Sequence, residues 1–371
     1  MAGVALALLL ANSPLGEAYH AMLLRSLRIG IAPLALTKDV LHWVNDGLMA
    51  VFFLLVGLEI KRECLLGDLS TPRRALLPAI GALGGMLVPA LVYLLCNRGR
   101  PELLAGWPVP TATDIAFALG VLALLGPRVP ASLRIFLLAL AVIDDLGAIV
   151  LIAALFTEDL SWLALFVAVL CLAALLLLNR AGVRRLAPYL LAGMVLWTSV
   201  LRSGVHATLA GVVLGLAIPL KEGGPARRLE HALHPWVAFG ILPVFALANA
   251  GVPLDQLSVR VLLHPVTVGI ASGLLLGKLV GVFGFTWGAL RLGLGELPAE
   301  IGWRHLFGVA LLTGIGFTMS LFLGALAFTD DHLHGPVRIG VLLGSACAAI
   351  AGAWWLRRIA PPGENPPRGV E

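Results

Sequence analysis

Hydrophobic positions in this chain do not alternate with polar ones; they run together. Stretches of about 20 apolar residues, enough to cross a bilayer as a helix, follow one another and are cut by short clusters of Pro, Gly, Lys and Arg. The cuts leave runs near 1–12, 41–66, 74–97, 103–125, 132–156, 161–179, 187–200, 204–219, 231–252, 266–290, 304–328 and 336–357. A helix that is apolar all round is one surrounded by lipid or by protein. The pattern therefore predicts an all-α polytopic membrane protein of about 12 transmembrane helices in a lipid bilayer, using roughly 250 residues for the crossings. The first run is short and has no basic segment before it, and reads as a shortened first helix rather than a signal sequence. Leu27 to Thr37, with Pro33 between two apolar stretches, reads equally as a plain loop or as a small hairpin at the outer surface. In the second case its exposed edge offers a homodimer contact.

Composition agrees. Of 371 residues, 59% are hydrophobic and 13% charged, against roughly 45–50% and 25% in an average soluble domain, and the mean hydropathy is +0.96. An ordinary soluble enzyme is excluded. The net charge of +5 is not a nucleic-acid patch, because the basic residues punctuate apolar runs, where they set topology. With the N-terminus inside, 17 of the 26 Lys and Arg fall on the inner side and eight on the outer. Both termini are thus expected in the cytoplasm. Cys64, Cys96, Cys171 and Cys347 lie far apart without a C-x-x-C pair, and are expected to be small core residues rather than a disulfide or zinc framework.

Four charges stand inside the runs, where an ionisable group is costly unless it faces protein or water and has a partner. Asp114 lies in Pro110-Thr-Ala-Thr-Asp-Ile-Ala-Phe117, Asp144 and Asp145 in Ala141-Val-Ile-Asp-Asp-Leu-Gly147, and Lys278 in Leu276-Gly-Lys-Leu-Val-Gly281. Three acids are set against one base. Adjacent side chains of a helix point about 100° apart, so one aspartate is expected to face a cation site and the other a different neighbour. Carboxylate oxygens are the hard ligands that Na⁺ requires, and carboxyl groups held away from water exchange protons nearer neutrality. Competition of H⁺ with a cation for these groups is an exchange mechanism. Lys278 supplies a counter-charge in a pair that breaks when the aspartate takes a proton or the lysine loses one.

Thr113-Asp-Ile-Ala-Phe-Ala118 and Thr313-Gly-Ile-Gly-Phe-Thr318 share Thr, Ile and Phe at an offset of 200 residues, on spans expected to run in opposite directions. Both carry helix breakers: Pro108 and Pro110 before the first, Gly308, Gly314 and Gly316 around the second. Paired interrupted spans in inverted halves point to a transporter site built from half-helix ends. Such ends bring partial charges of like sign together, and Asp114, whose counterpart is Gly314, would offset converging N-termini.

Six stretches carry a family resemblance: Asn45 to Glu63 (NDGLMAVFFLLVGLEIKRE), Ala112 to Gly120, Ile143 to Ala148, His206 to Gly211, Leu229 to Trp236 (LEHALHPW) and Gly314 to Ser320. Over nearly its whole length the chain resembles the NhaA family of bacterial Na⁺/H⁺ antiporters, itself one of the type cases for the interrupted-helix rule. The resemblance implies inverted repeats near 74–156 and 266–357 in a core domain, two interrupted helices crossing at mid-membrane, and interface helices from the remaining spans. It also implies electrogenic exchange of cytoplasmic Na⁺ or Li⁺ for external H⁺ across the cell inner membrane, by alternating access and with no cofactor. Asp145 matches the principal cation ligand and Asp144 the acid that pairs with Lys278 and shares in proton carriage. Thr113, Asp114 and Gly314 match the crossing of the interrupted helices. Glu59, Arg62, Glu63, Glu230, His231 and His234 match a cytoplasmic-mouth cluster tied to activation at alkaline pH, and His206 another pH-linked position. For the mouth residues a solvated, topology-setting rim is the alternative. Two departures from the family are the short first span and a short Lys221 to Pro225 loop without histidine.

A bile-acid-type Na⁺ cotransporter is the nearest rival, though an organic substrate needs a larger mixed cavity. An intramembrane aspartyl protease has two aspartates on separate helices. Here they adjoin, and Pro89-Ala-Leu91 is the only fragment of the protease pattern present.

Overall fold

The computed structural model describes residues 2–30, 35–126, 129–157, 160–221, 223–253, 258–298, 300–328 and 330–359. Pro33 of the Leu27 to Thr37 segment, and Arg128 and Arg368 of the basic residues counted for topology, lie outside them.

The chain is mostly helical: α1 (Ala2–Ala11) and α2 (Gly16–Leu23) are followed by strands β1 (Ser26–Ile29) and β2 (Leu36–Asp39). The strands pair antiparallel, with Ser26 opposite Asp39 and Ile29 opposite Leu36. Next come α3 (Val40–Leu66), α4 (Pro72–Cys96), 3-10 turns at Pro101–Gly106 and Val109–Thr111, α5 (Ile115–Leu124), α6 (Ala131–Leu155), α7 (Trp162–Arg180), α8 (Ala187–Leu201) and α9 (Thr208–Ala217). Then come α10 (Pro225–Asn249), a single helical turn at Val259–Leu262, α11 (Pro265–Arg291), α12 (Trp303–Leu312), α13 (Phe317–Ala327) and α14 (Asp331–Arg357). Wide π-turns interrupt α3 at Trp43–Leu48, α10 at Val237–Ile241 and α11 at Gly273–Gly277.

Among the described residues seven helices are long and apolar enough to cross a membrane, or nine if each of two bent pairs is one span. The bent pairs are Pro101–Thr111 with α5, and α12 with α13, each broken by 44°. Pro108 and Pro110 cause the first break, since neither offers an N–H to a helix. Glycines at 314 and 316 permit the second. The twelve runs of the sequence thus meet nine segments of sufficient length, with α1, α8 and α9 as shorter apolar helices.

The chain divides into two compact units, 1–62 with 149–257 and 63–148 with 258–371. In the first, a core of Leu54 and Leu58 of α3, Leu175 of α7, Tyr189 and Leu196 of α8, Leu214 of α9 and Leu229 of α10 is buried. Helix α9 reaches α3 through glycine: a Cβ on Gly215 would stand 2.7 Å from the Leu54 carbonyl oxygen. Helix α7 presents Trp162, Leu163 and Phe166 outward, an apolar surface suited to lipid.

In the second unit, α4 and α11 cross at Gly84 and Gly281, where each glycine's missing Cβ position is filled by the other's carbonyl oxygen. This small-residue contact is how membrane helices gain packing where the hydrophobic effect between them is weak. Helix α6 is the most enclosed of the seven long spans, with 61% of its most apolar window buried.

The cysteines correct an expectation. Cys64, Cys96 and Cys347 are exposed and Cys171 is half-buried; none is a core residue. A span apolar all round gives no signal of which side faces protein.

Candidate functional site

In the second unit the two breaks lie against each other. After the Val109–Thr111 turn the backbone is extended at Ala112 and Asp114. The Asp114 N–H donates to the Ile315 carbonyl at 2.6 Å, and the Thr113 hydroxyl to the Thr313 carbonyl, the C-terminal end of α12, at 2.9 Å. Phe117 and Phe317, matched in the sequence repeat, lie with ring centroids 4.7 Å apart and planes tilted by 48°. Backbone groups freed by the breaks are therefore satisfied across the contact, as they must be where water is scarce.

Asp114 is the hinge of this arrangement. Its Oδ1 accepts the Phe117 N–H of α5 at 3.0 Å, and its Oδ2 accepts the Thr318 N–H of α13 at 3.0 Å together with the Thr318 hydroxyl. One carboxylate, 2% exposed, caps two helix N-termini, each carrying about half a positive charge. Gly314 sits where α12 ends, in contact with the Leu274 carbonyl and with Ala348.

Only two of the three acids lie near the one base. Lys278 Nζ donates to Asp144 Oδ2 at 2.7 Å, with both side chains fully buried. Asp145, 1% exposed, is within electrostatic range of the same ammonium. Asp114 is compensated instead by helix ends. Lys278 follows the π-turn of α11, where its N–H donates to the Gly273 carbonyl, and Gly277 lets that turn approach Pro89 of α4. The second oxygen of Asp144, Oδ1, is buried without a hydrogen bond among the described residues. A buried ion pair is a weak source of stability, since desolvation offsets its attraction, and Thr113 of the first break also stands against Asp144.

In the first unit, Arg62 of α3 and Glu230 of α10 form an ion pair. His231 and His234, on the same helix as Glu230, are exposed, and Glu59 is half-buried. Glu63 belongs to the second unit and is 7% exposed. His206 lies with Nδ1 2.9 Å from the Thr208 hydroxyl and Nε2 3.9 Å from Asp46 Oδ1.

Sequence inspection overlooked Asp46, although an acid inside the 41–66 run was a visible signal. Asp46 lies on the π-turn of α3 beside Asn45, whose Oδ1 accepts from Asn249 at 2.9 Å. Lys61, one of the inner-side basic residues, donates to the Leu216 and Ile218 carbonyls at 2.7 and 2.6 Å, closing the C-terminus of α9, where a cation is favoured. Thr318 and Ser345 carried no signal beyond being polar residues in apolar helices.

The family model described as Na⁺/H⁺ antiporter 1 matches residues 1–356. The Na⁺/H⁺ antiporter NhaA of Rhodospirillum rubrum is 58% identical over 365 residues, covering 95% of this chain and 92% of the relative. The NhaA of Pseudomonas putida is 56% identical over 358 residues, with 95% and 92% covered, and that of Shewanella amazonensis 55% identical over 366 residues, with 97% and 94% covered.

Proposed function

The chain belongs to the Na⁺/H⁺ antiporter 1 family, and from that premise we propose that it is a secondary transporter, not an enzyme, exchanging cytoplasmic Na⁺ or Li⁺ for external H⁺. The observation that carries this reading is the fully buried Lys278 and Asp144 pair beside Asp145. The carboxylates of Asp145 and Asp144 take the cation as cargo. Its arrival weakens the hold of Asp144 on Lys278, which then gives up a proton, and reprotonation expels the cation. Because H⁺ and Na⁺ compete for one group of side chains, they cannot be carried together. With protons leaving both the lysine and an acid, the exchange moves net charge. Thr113, Asp114 and Gly314 hold the interrupted helices at the site, and Glu59, Arg62, Glu63, Glu230, His231, His234 and His206 adjust its response to pH.

The same reading takes α1, α8 and α9 as crossings completed by flanking backbone buried in protein, giving twelve. It takes 74–156 and 266–357 as inverted repeats working by alternating access, with both termini cytoplasmic in a bacterial inner membrane, and leaves β1 and β2 to a homodimer contact. The family membership does not favour the cotransporter or protease alternatives.

Reconstitution into liposomes with a trapped pH dye tests the proposal. Na⁺ and Li⁺, but not K⁺, are expected to dissipate an imposed pH gradient, and Asp145→Asn or Asp144→Asn to abolish the response. Failure of both ions to move protons anywhere between about pH 6 and 9, or full activity in the double variant, overturns it.

A further inference from the structure

Helix α13 starts without a cap of its own, because the residue before its first turn is Gly316. Its first two free N–H groups are both taken by side chains from elsewhere in the second unit. Thr318 N–H goes to Asp114, and Phe317 N–H goes to the hydroxyl of Ser345 at 3.1 Å. Ser345 is 6% exposed and sits in the middle of α14. Helix α14 is pinned there by close contacts: a Cβ on the adjacent Gly344 would lie 3.0 Å from Ala271 and from Leu274 of α11, and Ala348, one turn on, sits 2.9 Å from the Cβ position of Gly314. The serine is therefore delivered to the break by a helix that also rests on the segment leading to Lys278.

The division of acceptors sets the charge balance. With Phe317 N–H on Ser345, the Asp114 carboxylate takes the Thr318 N–H and hydroxyl from α13 and is left free for the N–H groups of α5, Phe117 foremost. Without Ser345, a further N–H of the positive α13 terminus is left in a dry site, where Asp114 is the acceptor already engaged by its neighbour. Either the carboxylate is drawn toward α13, pulling with it the Thr113 hydroxyl that holds Thr313, or the extra partial charge stays beside the aspartates and repels a cation. We propose that Ser345 is a positioning residue for the cation site, holding the α13 N-terminus so that Asp114 stays shared between the two broken helices. This rests on the antiport reading above.

The test uses the full chain in proteoliposomes, measuring KM for Na⁺, maximal rate, and the melting temperature of the purified protein. Ser345→Ala is expected to raise KM for Na⁺ roughly three- to tenfold, the scale of one lost hydrogen bond and its dipole, with the maximal rate within about twofold and Ser345→Thr restoring KM. Should the alanine variant fail to fold, Ser345→Cys, nearly isosteric and a weak acceptor, is expected to show the same rise. A wild-type KM in the alanine or cysteine variant overturns the inference. So does a joint fall of maximal rate and melting temperature with KM unmoved. A wild-type protein that moves no protons with Na⁺ overturns the antiport reading itself.

Discussion

Replacing Asp114 removes the acceptor of two helices at once, and the loss can be worked from its bonds. The carboxylate receives Phe117 N–H and Thr318 N–H, each at 3.0 Å, and the Thr318 hydroxyl. Losing one N-cap acceptor costs about 1 kcal/mol, and up to about 2. An N–H left buried without a partner costs about 1–3 kcal/mol, and the loss of a negative charge at a helix N-terminus about 0.3–1 kcal/mol. These overlap, because each describes the same two helix ends. Asp114→Ala, which abandons both ends, is therefore expected to lose about 3–5 kcal/mol. Asp114→Asn keeps one oxygen for one helix and turns an amide NH₂ toward the other, and is expected to lose about 2–3 kcal/mol by the same reckoning. At about 2 °C per kcal/mol for a large chain, the alanine variant should melt about 6–10 °C lower when detergent-solubilised protein is followed by tryptophan fluorescence. The bridging role has a sharper signature in a double-mutant cycle. Thr318→Val removes a donor whose acceptor is Asp114, so it should be costly in the wild type and close to neutral when Asp114 is already alanine. An unshifted Asp114→Ala melt, or two substitutions whose effects simply add, would refute the argument that one carboxylate joins the two helices.

Two further outcomes follow from the geometry. Gly281→Ala places a methyl on the Gly84 backbone and should cost about 1–3 kcal/mol by overpacking, whereas Gly284→Ala, on the same helix with nothing within 4 Å, should be neutral or gain up to about 1 kcal/mol; equal melts for the two would count against the contact. His264, just outside the span that begins at Pro265, accepts the Val266 N–H through Nδ1 at 3.3 Å, and burial, then the charges of Arg100 and Arg260, hold its pKa below the ordinary value. As pH falls below about 6.5 the unfolded chain takes this proton first, so the stability this group contributes is complete above that pH and is lost on acidification. His264→Asn retains a capping oxygen with nothing to titrate, and its melting temperature should fall less than the wild type's between about pH 8 and pH 5; parallel falls would remove His264 from the account.

Much of the site was legible because a bilayer penalises charge. Asp144, Asp145 and Lys278 announce themselves as ionisable residues in apolar runs, and Pro108, Pro110, Gly314 and Gly316 mark the breaks by known backbone preferences. Facing was not legible. In a soluble helix an apolar stripe points to the core, but Cys96 and Cys347 lie in helices apolar on every side, and their sequence neighbours do not reveal that they look outward. Partnership was legible only in part. The interrupted spans suggested that Asp114 offsets converging N-termini, and its carboxylate accepts the first-turn N–H groups of Phe117 and Thr318, but which helix ends it would meet is not written in any side-chain inventory. Lys61 shows the converse: a cation counted for topology holds two carbonyls, because a helix end about 155 residues along the chain comes to it.

The π-turn at Gly273–Gly277 has a consequence for how the lysine is aimed. A wide turn holds an extra residue, and each residue added to a helix rotates everything after it by about 100°. The first half of α11 packs through Thr267 on the Pro336 carbonyl of α14, while the second half must point Lys278 at Asp144. Taking one residue out of the turn would rotate Lys278 by about 100° relative to Thr267. The ammonium is thus directed by arithmetic, one surplus residue in a stretch of glycine and leucine, and the buried ion pair depends on a count as much as on any side chain's chemistry.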